Sequence, residues 1–298
     1  MLKAGRRRAW VPVGLVVLFA VITAAGCSTG GSIRPSGAST GDPATDAAAI
    51  LGRYKSTPAA DASLAVRIKP AKGDALNIQL HIWCAADGRV RINASKLDLD
   101  FCSALLRPDG SYIVVAPRAH LAATGTFDDQ DRANLTPLFT QPGLIADELR
   151  SGPLPPHGAW QEGHPEEPDR STLFFQLPPH LTADATWDTR SGLVTIKELI
   201  CSNPDSRDVI DVVYSHERDF DGLLRPTLAN VTVATMVGSN VIQAPTPESL
   251  KASDPTNITI GLRSFDGLGE ISAERMHLDV PADARTVPLD ELLKHLGD

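Results

Sequence analysis

Positive charge is in deficit in this sequence: 28 Lys and Arg stand against 36 Asp and Glu in 298 residues, a formal net charge of −8. The first 26 residues hold four of those cations and no acid, so without them 24 basic residues face 36 acidic ones, a net charge of −12. That sign excludes a nucleic-acid partner, whose recognition needs a basic face. Aromatic residues are also scarce, at 5%. Long apolar runs are confined to residues 1–26, so no other segment could serve as a targeting or membrane segment. The four cysteines form no CxxC pair and no Cys/His cluster with zinc-ligand spacing. Dinucleotide and Walker fingerprints are absent, as is any alternation of strand and helix that would build a parallel sheet.

What is present begins with an export signal. Lys3, Arg6, Arg7 and Arg8 form a cationic start, and Trp10 to Ala25 form an apolar stretch broken by Pro12 and Gly14, too short for a comfortable span. It ends Thr23-Ala24-Ala25-Gly26-Cys27. This resembles the lipobox of bacterial lipoproteins, with Ala24 where that family usually has Leu, and the resemblance implies a diacylated Cys27 as the new N-terminus. Thr23-Ala24-Ala25 also suits ordinary signal peptidase, which would release a soluble protein. Two acyl chains suffice physically as an anchor, at about 0.8 kcal/mol per buried CH₂. Ser28 follows, and in a two-membrane bacterium the resemblance implies passage to the periplasmic face of the outer membrane.

Residues 27–42 read as a tether. Ser28 to Asp42 are mostly Gly, Ser and Thr, too polar to fold, with a root-mean-square reach of roughly 20 Å. Gly37-Ala38-Ser39-Thr40-Gly41 formally matches the G-x-S-x-G nucleophile elbow, but it follows no strand and reads as linker.

The folded part is expected over 43–298 as a single α+β domain. Pro43 to Ser56 predicts a helix, capped by Asp42 and with Ala47, Ile50, Leu51 and Tyr54 on one face. The period then switches to two at Leu64, Val66 and Ile68, and again at Leu76, Ile78, Leu80 and Ile82. Val90 and Ile92, then Leu97, Leu99 and Phe101, continue the inward face, and Tyr112 to Ala116 give a fifth strand. Ala86-Asp87-Gly88 and Pro108-Asp109-Gly110 read as turns, the first with Gly88 left-handed. Such a meander buries one face.

Residues 131–150 suit two short helices divided at Pro142-Gly143, and residues 151–170, rich in Pro and Gly, read as a long loop carrying His157, Trp160 and His164. Strands return at Thr172–Leu177, Ala185–Thr189, Leu193–Ile200, Val209–Ser215, Thr227–Met236, Val241–Gln243, Ile258–Phe265 and Ile271–Val280, before a terminal helix at Asp290–Leu296. Glu217 to Gly222, the densest charge cluster, lacks the spacing of a calcium loop and reads as a hairpin tip. On this alternation Cys84 points with Ile82 and Cys102 points the other way, which forbids their pairing, whereas either remains free to pair with Cys201.

Taken together, Asp87-Gly88-Arg89-Val90-Arg91-Ile92, Phe101 with Leu105, Pro108-Asp109-Gly110-Ser111-Tyr112, Trp187 to Leu193, Tyr214 to Gly222 and Pro226 resemble the lipoprotein-carrier superfamily, the LolA/LolB and LppX/LprG group. The resemblance spans roughly Asp46 to Val280. It implies an antiparallel sheet, here of about 11 strands, forming an incomplete barrel wrapped around helices. It also implies an apolar cavity that binds lipid or the acyl chains of lipoproteins without catalysis. The lining would come from Ile78, Leu80, Ile82, Val90, Ile92, Leu97, Leu99 and Phe101, each of which also suits an ordinary core. No nucleophile, acid/base pair or metal cluster sits on a recognisable element, so no cofactor is expected. The partners expected are a lipid or acylated lipoprotein cargo, the membrane through Cys27, and an envelope protein. The same fold could instead serve a non-transporting sensor or assembly scaffold.

Overall fold

The computed structural model describes residues 52–97, 99–127, 142–152, 159–162, 170–176, 181–188, 193–201, 208–235 and 255–297. The predicted export signal, the tether with its G-x-S-x-G match, most of the first helix, the helix before Pro142, and Val241–Gln243 lie outside them. Where its end is described, from Gly52 to Ser56, the predicted first helix is a turn and bend followed by irregular chain.

The first half is a meander: β1 (Ala59–Lys69), β2 (Leu76–Cys84), β3 (Val90–Lys96), β4 (Leu99–Leu106), β5 (Ser111–Ala116) and β6 (Leu121–Thr126). Helix α1 (Pro142–Ser151) follows, opening on a proline whose fixed φ suits a first turn. The second half is β7 (Ala159–Glu162), β8 (Arg170–Gln176), β9 (Leu181–Asp188), β10 (Leu193–Cys201), β11 (Asp208–Phe220), β12 (Leu223–Thr235) and β13 (Thr256–Leu268). A two-residue strand, β14 (Arg285–Thr286), and helix α2 (Leu289–Gly297) end the chain.

Among the described residues these strands form one open sheet of fourteen, ordered β14-β6-β5-β4-β3-β2-β1-β13-β12-β11-β10-β9-β8-β7. Every pairing is antiparallel except β14 with β6. The first strand therefore lies between the two meanders, paired with β2 on one side and β13 on the other. One contiguous apolar core runs from β1 to β6 and on to β11, β12 and β13, and it includes Ala146 and Leu149 of α1 and Leu289, Leu292 and Leu293 of α2. A single core shared by an open sheet and two helices on one face is an incomplete barrel around helices.

The turn chemistry is as the sequence implies. Gly88 and Gly110 are left-handed, at φ 84° and 82°, and each closes a hairpin with its amide donating three residues back. Asp109 Oδ1 accepts from the Ser111 amide at 2.8 Å, which holds its carboxyl below the usual range. At the β11–β12 hairpin Asp221 and Gly222 are both left-handed, the two-residue arrangement whose twist matches flanking strands. The charge cluster 217–222 is thus a hairpin tip, with Glu217 ion-paired to Arg53 at 2.5 Å.

Several expectations need correction. Fourteen strands replace about eleven, because β6, β7 and β14 carry little apolar contrast. The 151–170 loop contains β7, which holds Trp160. Ile271–Val280 is not a strand: both neighbours of β13 are already taken by β1 and β12. It is an irregular strap that lays Ile271 and Met276 over Ala59, Ala85 and Leu105 on the outer face. There Arg275 reaches Asp61 Oδ2 at 3.0 Å, a carboxylate that also takes His81 at 2.5 Å and the Trp83 indole at 3.0 Å.

The largest correction concerns β4. Ala94 pairs with Cys102 but Ser95 pairs with Asp100, so Phe101 is an extra, bulged residue. A one-residue insertion exchanges the two faces of a strand. Cys102, Ala104 and Leu106 therefore join the core, and Cys84 and Cys102 share one face rather than lying on opposite ones. They remain free thiols, since Cys84 is level with Val90 and Cys102 with Ala94, four residues further along β3. Burial pushes both thiols up to about 12 from 9.0. Folded protein at pH 8 is expected to leave Cys84 and Cys102 unalkylated by iodoacetamide until denaturant is added, as peptide mass mapping would read. The sign of the linkage follows: the unfolded chain loses these protons from about pH 9 while the folded one keeps them. Their contribution to stability is thus full below pH 9 and declines as pH rises toward 12.

Candidate functional site

The concave face is the place where the sequence puts a ligand. Along β2, Ile78, Leu80 and Ile82 point inward, and along β3 so do Val90 and Ile92, all between 0 and 3% exposed. The structure brings these five together in the shared core. It does not bring the other three with them. Leu97 sits at the β3–β4 hairpin with φ 52° and is 83% exposed, and Leu99 is 49% exposed. Phe101, the bulged residue, is half-buried against the core edge. The expectation that all three continue the inward row fails because the bulge resets the face and the tip overhangs the core. Cys27 lies outside the described residues.

The cover over this face is apolar and short. Helix α1 packs on β1, β2 and β3, and α2 on β5 and β6. At α2 three leucines, Leu289, Leu292 and Leu293, are 0–6% exposed. Their burial contributes roughly 5–9 kcal/mol at about 1.5–3 kcal/mol each, and a nine-residue helix has little stability of its own.

The end of α1 is fixed by a polar cluster that pattern reading missed. Arg225 on β12 is 2% exposed, and its guanidinium donates to the carbonyls of Leu149 (3.0 Å), Arg150 (2.6 Å), Lys55 (3.0 Å) and Leu224 (2.7 Å). It lies 4.7 Å above the Phe265 ring. Burial lowers its pKa to about 10, which leaves it charged at neutral pH. Beside it the Tyr54 hydroxyl donates to Glu217, and burial, followed by the Glu217 charge, holds that phenol protonated well above its ordinary range. Gly152, at φ 91°, ends α1 where a Cβ would meet the Tyr54 ring at 2.9 Å. A lone arginine in an alternating strand gives no sign of this role.

Two cavities open on the other, outer face. One of about 550 Å³ is lined by Ser63, Gln79, His81, Asn93, Ser95, Asp100 and Arg263 among others. A second of about 450 Å³ adjoins it through Ala65, Gln79 and Arg263 and extends past Arg67 and Leu97. Among the described residues no three His, Cys, Asp or Glu side chains gather as a metal site, and no helix is long and apolar enough to cross a membrane.

No family model matches the sequence, and no curated protein matches it. Solved structures do. A DUF1329 family protein from Desulfovibrio piger is 11% identical, with a TM-score of 0.47 over 79% of this chain and 98% of its own. A LolA superfamily protein from Nitrosomonas europaea is 9% identical, with a TM-score of 0.46 over 77% and 96%. An outer membrane lipoprotein-sorting protein domain, described as such without firm assignment, from Vibrio parahaemolyticus is 7% identical, with a TM-score of 0.45 over 85% and 100%. One of the three bears the name of the superfamily that the sequence patterns resemble.

Proposed function

We propose that this is an envelope lipoprotein, exported by residues 1–26, anchored through Cys27 and tethered by residues 27–42, whose 43–298 domain binds lipid or lipoprotein acyl chains and passes them on. The observation that supports it is the aliphatic face of the sheet covered by two short helices. A sixteen-carbon chain gains about 12 kcal/mol at 0.8 kcal/mol per CH₂, more than the roughly 5–9 kcal/mol contributed by the three leucines of α2. An acyl chain can thus take the place of α2 over β5 and β6. Ile78, Leu80, Ile82, Val90 and Ile92 lie on β2 and β3 under α1 and continue the same apolar core beyond that seat. No catalytic step is part of this reading.

A second reading rests on the same five residues being fully packed: a non-transporting sensor or assembly scaffold that docks an envelope protein. Native mass spectrometry of cell-extracted protein, before and after delipidation, separates the two. The carrier reading expects bound acyl species and uptake of a fluorescent fatty acid by the delipidated chain. Reproducible absence of both would overturn it in favour of the scaffold. For the anchor, Cys27→Ala is expected to move the protein from the membrane to the soluble fraction; unchanged membrane association would refute lipidation.

A further inference from the structure

The outer face carries a second, differently built feature. In a chain of net charge −8, the 450 Å³ cavity is lined, among the described residues, by two arginines, Arg67 and Arg263, and by no carboxylate. Neither arginine has an ion pair among the described residues, although surface cations elsewhere, such as Arg275, Arg285 and Lys294, do. Between them the floor is the cross-strand pair Ala65 and Gly261, which raises no side chain that would block an approach.

Register explains the convergence. Arg67 pairs with Thr259, two residues beyond Ala65, and Arg263 lies two residues beyond Gly261 in the opposite direction. Their Cα atoms are therefore about 14 Å apart, a span that two extended guanidinium arms close onto one anion. Arg263 is also the residue skipped in the β1–β13 register, where Ser63 faces Ser264 and Leu64 faces Leu262. The amides of Asn77 and Gln79 line the same wall. Asp100 lines the neighbouring cavity, into which Arg263 also extends, and is not part of this one.

Thr259 adds to the polar lining, and the two ends of the groove are apolar: Leu228 on one side and the exposed Leu97 on the other. We propose that this groove binds an anionic amphiphile, a phosphate or carboxylate head held between Arg67 and Arg263 with its hydrocarbon arm along Leu97 and Leu228. Paired guanidinium groups recognise such oxyanions by parallel charge-assisted hydrogen bonds. The site is separate from the concave face and does not rest on the carrier reading.

Calorimetric titration of the full chain with lysophosphatidic acid below its micellar concentration, with lysophosphatidylcholine of equal chain length, and with inorganic phosphate tests it. The acid is expected to bind at least about tenfold more tightly than either comparison ligand. Arg67→Gln with Arg263→Gln should reduce it to the level of the choline lipid. Leu97→Asn, which keeps the side chain neutral and suits the left-handed position, should weaken the lipid and leave phosphate unchanged. Wild-type affinity in the double variant, or equal affinity for the two lipids, would overturn the site. Phosphate binding as tight as the lipid would overturn the amphiphile assignment. A concave-face acyl site would take both lipids alike and ignore the arginines, so the two readings fail separately.

Discussion

Replacing Arg225 with Met is expected to destabilise the protein by about 3–5 kcal/mol, the range for removing one partner of a buried charged network. The guanidinium gathers four carbonyls from three chain segments: the end of α1, the lead-in to β1, and its own strand. Helix C-terminal carbonyls lack intrahelical donors and face the negative end of the helix dipole, so a cation there satisfies both needs. Met fills the volume over Phe265 but leaves the acceptors of Leu149, Arg150 and Lys55 buried without this donor. Arg225→Lys restores the charge with three donors and no planar fork, so its loss should be intermediate. Urea unfolding of the three proteins should rank native above Lys above Met. A loss under about 1 kcal/mol for Met, the net worth of one ordinary hydrogen bond, would show that water or Arg53 takes over these carbonyls.

Most strands of both meanders were legible because a half-buried antiparallel strand writes its period directly into the chain, whereas β6 and β7, with little apolar contrast, were not. Ile78, Leu80 and Ile82 are read correctly, as are Gly88, Gly110 and Asp221-Gly222, whose turns need left-handed residues. Three features were not legible. The bulge at Phe101 depends on pairing with β3, so nothing local marks the place where the inward row changes parity. The strap 271–280 has the alternation of a strand, and only the occupancy of both sides of β13 denies it a partner. Arg225, Arg67 and Arg263 look like solvent-facing residues in alternating sequence. Their surroundings differ because one meets the end of a helix and two flank a pair of small residues across a register shift. Local pattern carries element type and face, whereas the sites arise from contacts distant in sequence.

The placement of β1 leads to the second large effect. The chain's first described strand is inserted between β2, which opens one meander, and β13, which closes the other. Neither half therefore has a complete sheet without it, and we propose that the two halves unfold as one cooperative unit. Leu64, 1% exposed at the middle of β1, pairs with Leu80 on one side and Leu262 on the other. Leu64→Ala removes buried methyl groups where neither flanking strand can collapse without breaking its register, and should cost about 2–5 kcal/mol. If β1 fastens both halves, that loss must appear equally in each. In a background with Trp10, Trp160 and Trp187 replaced by Phe, Trp83 fluorescence reports the first meander, and hydrogen exchange at the β11 and β12 amides reports the second. Both should shift to lower urea by the same amount with an unchanged slope, as a two-state change in stability requires. Two separated transitions, or a shift confined to Trp83, would show that 43–298 is two independently folding units that merely share an edge.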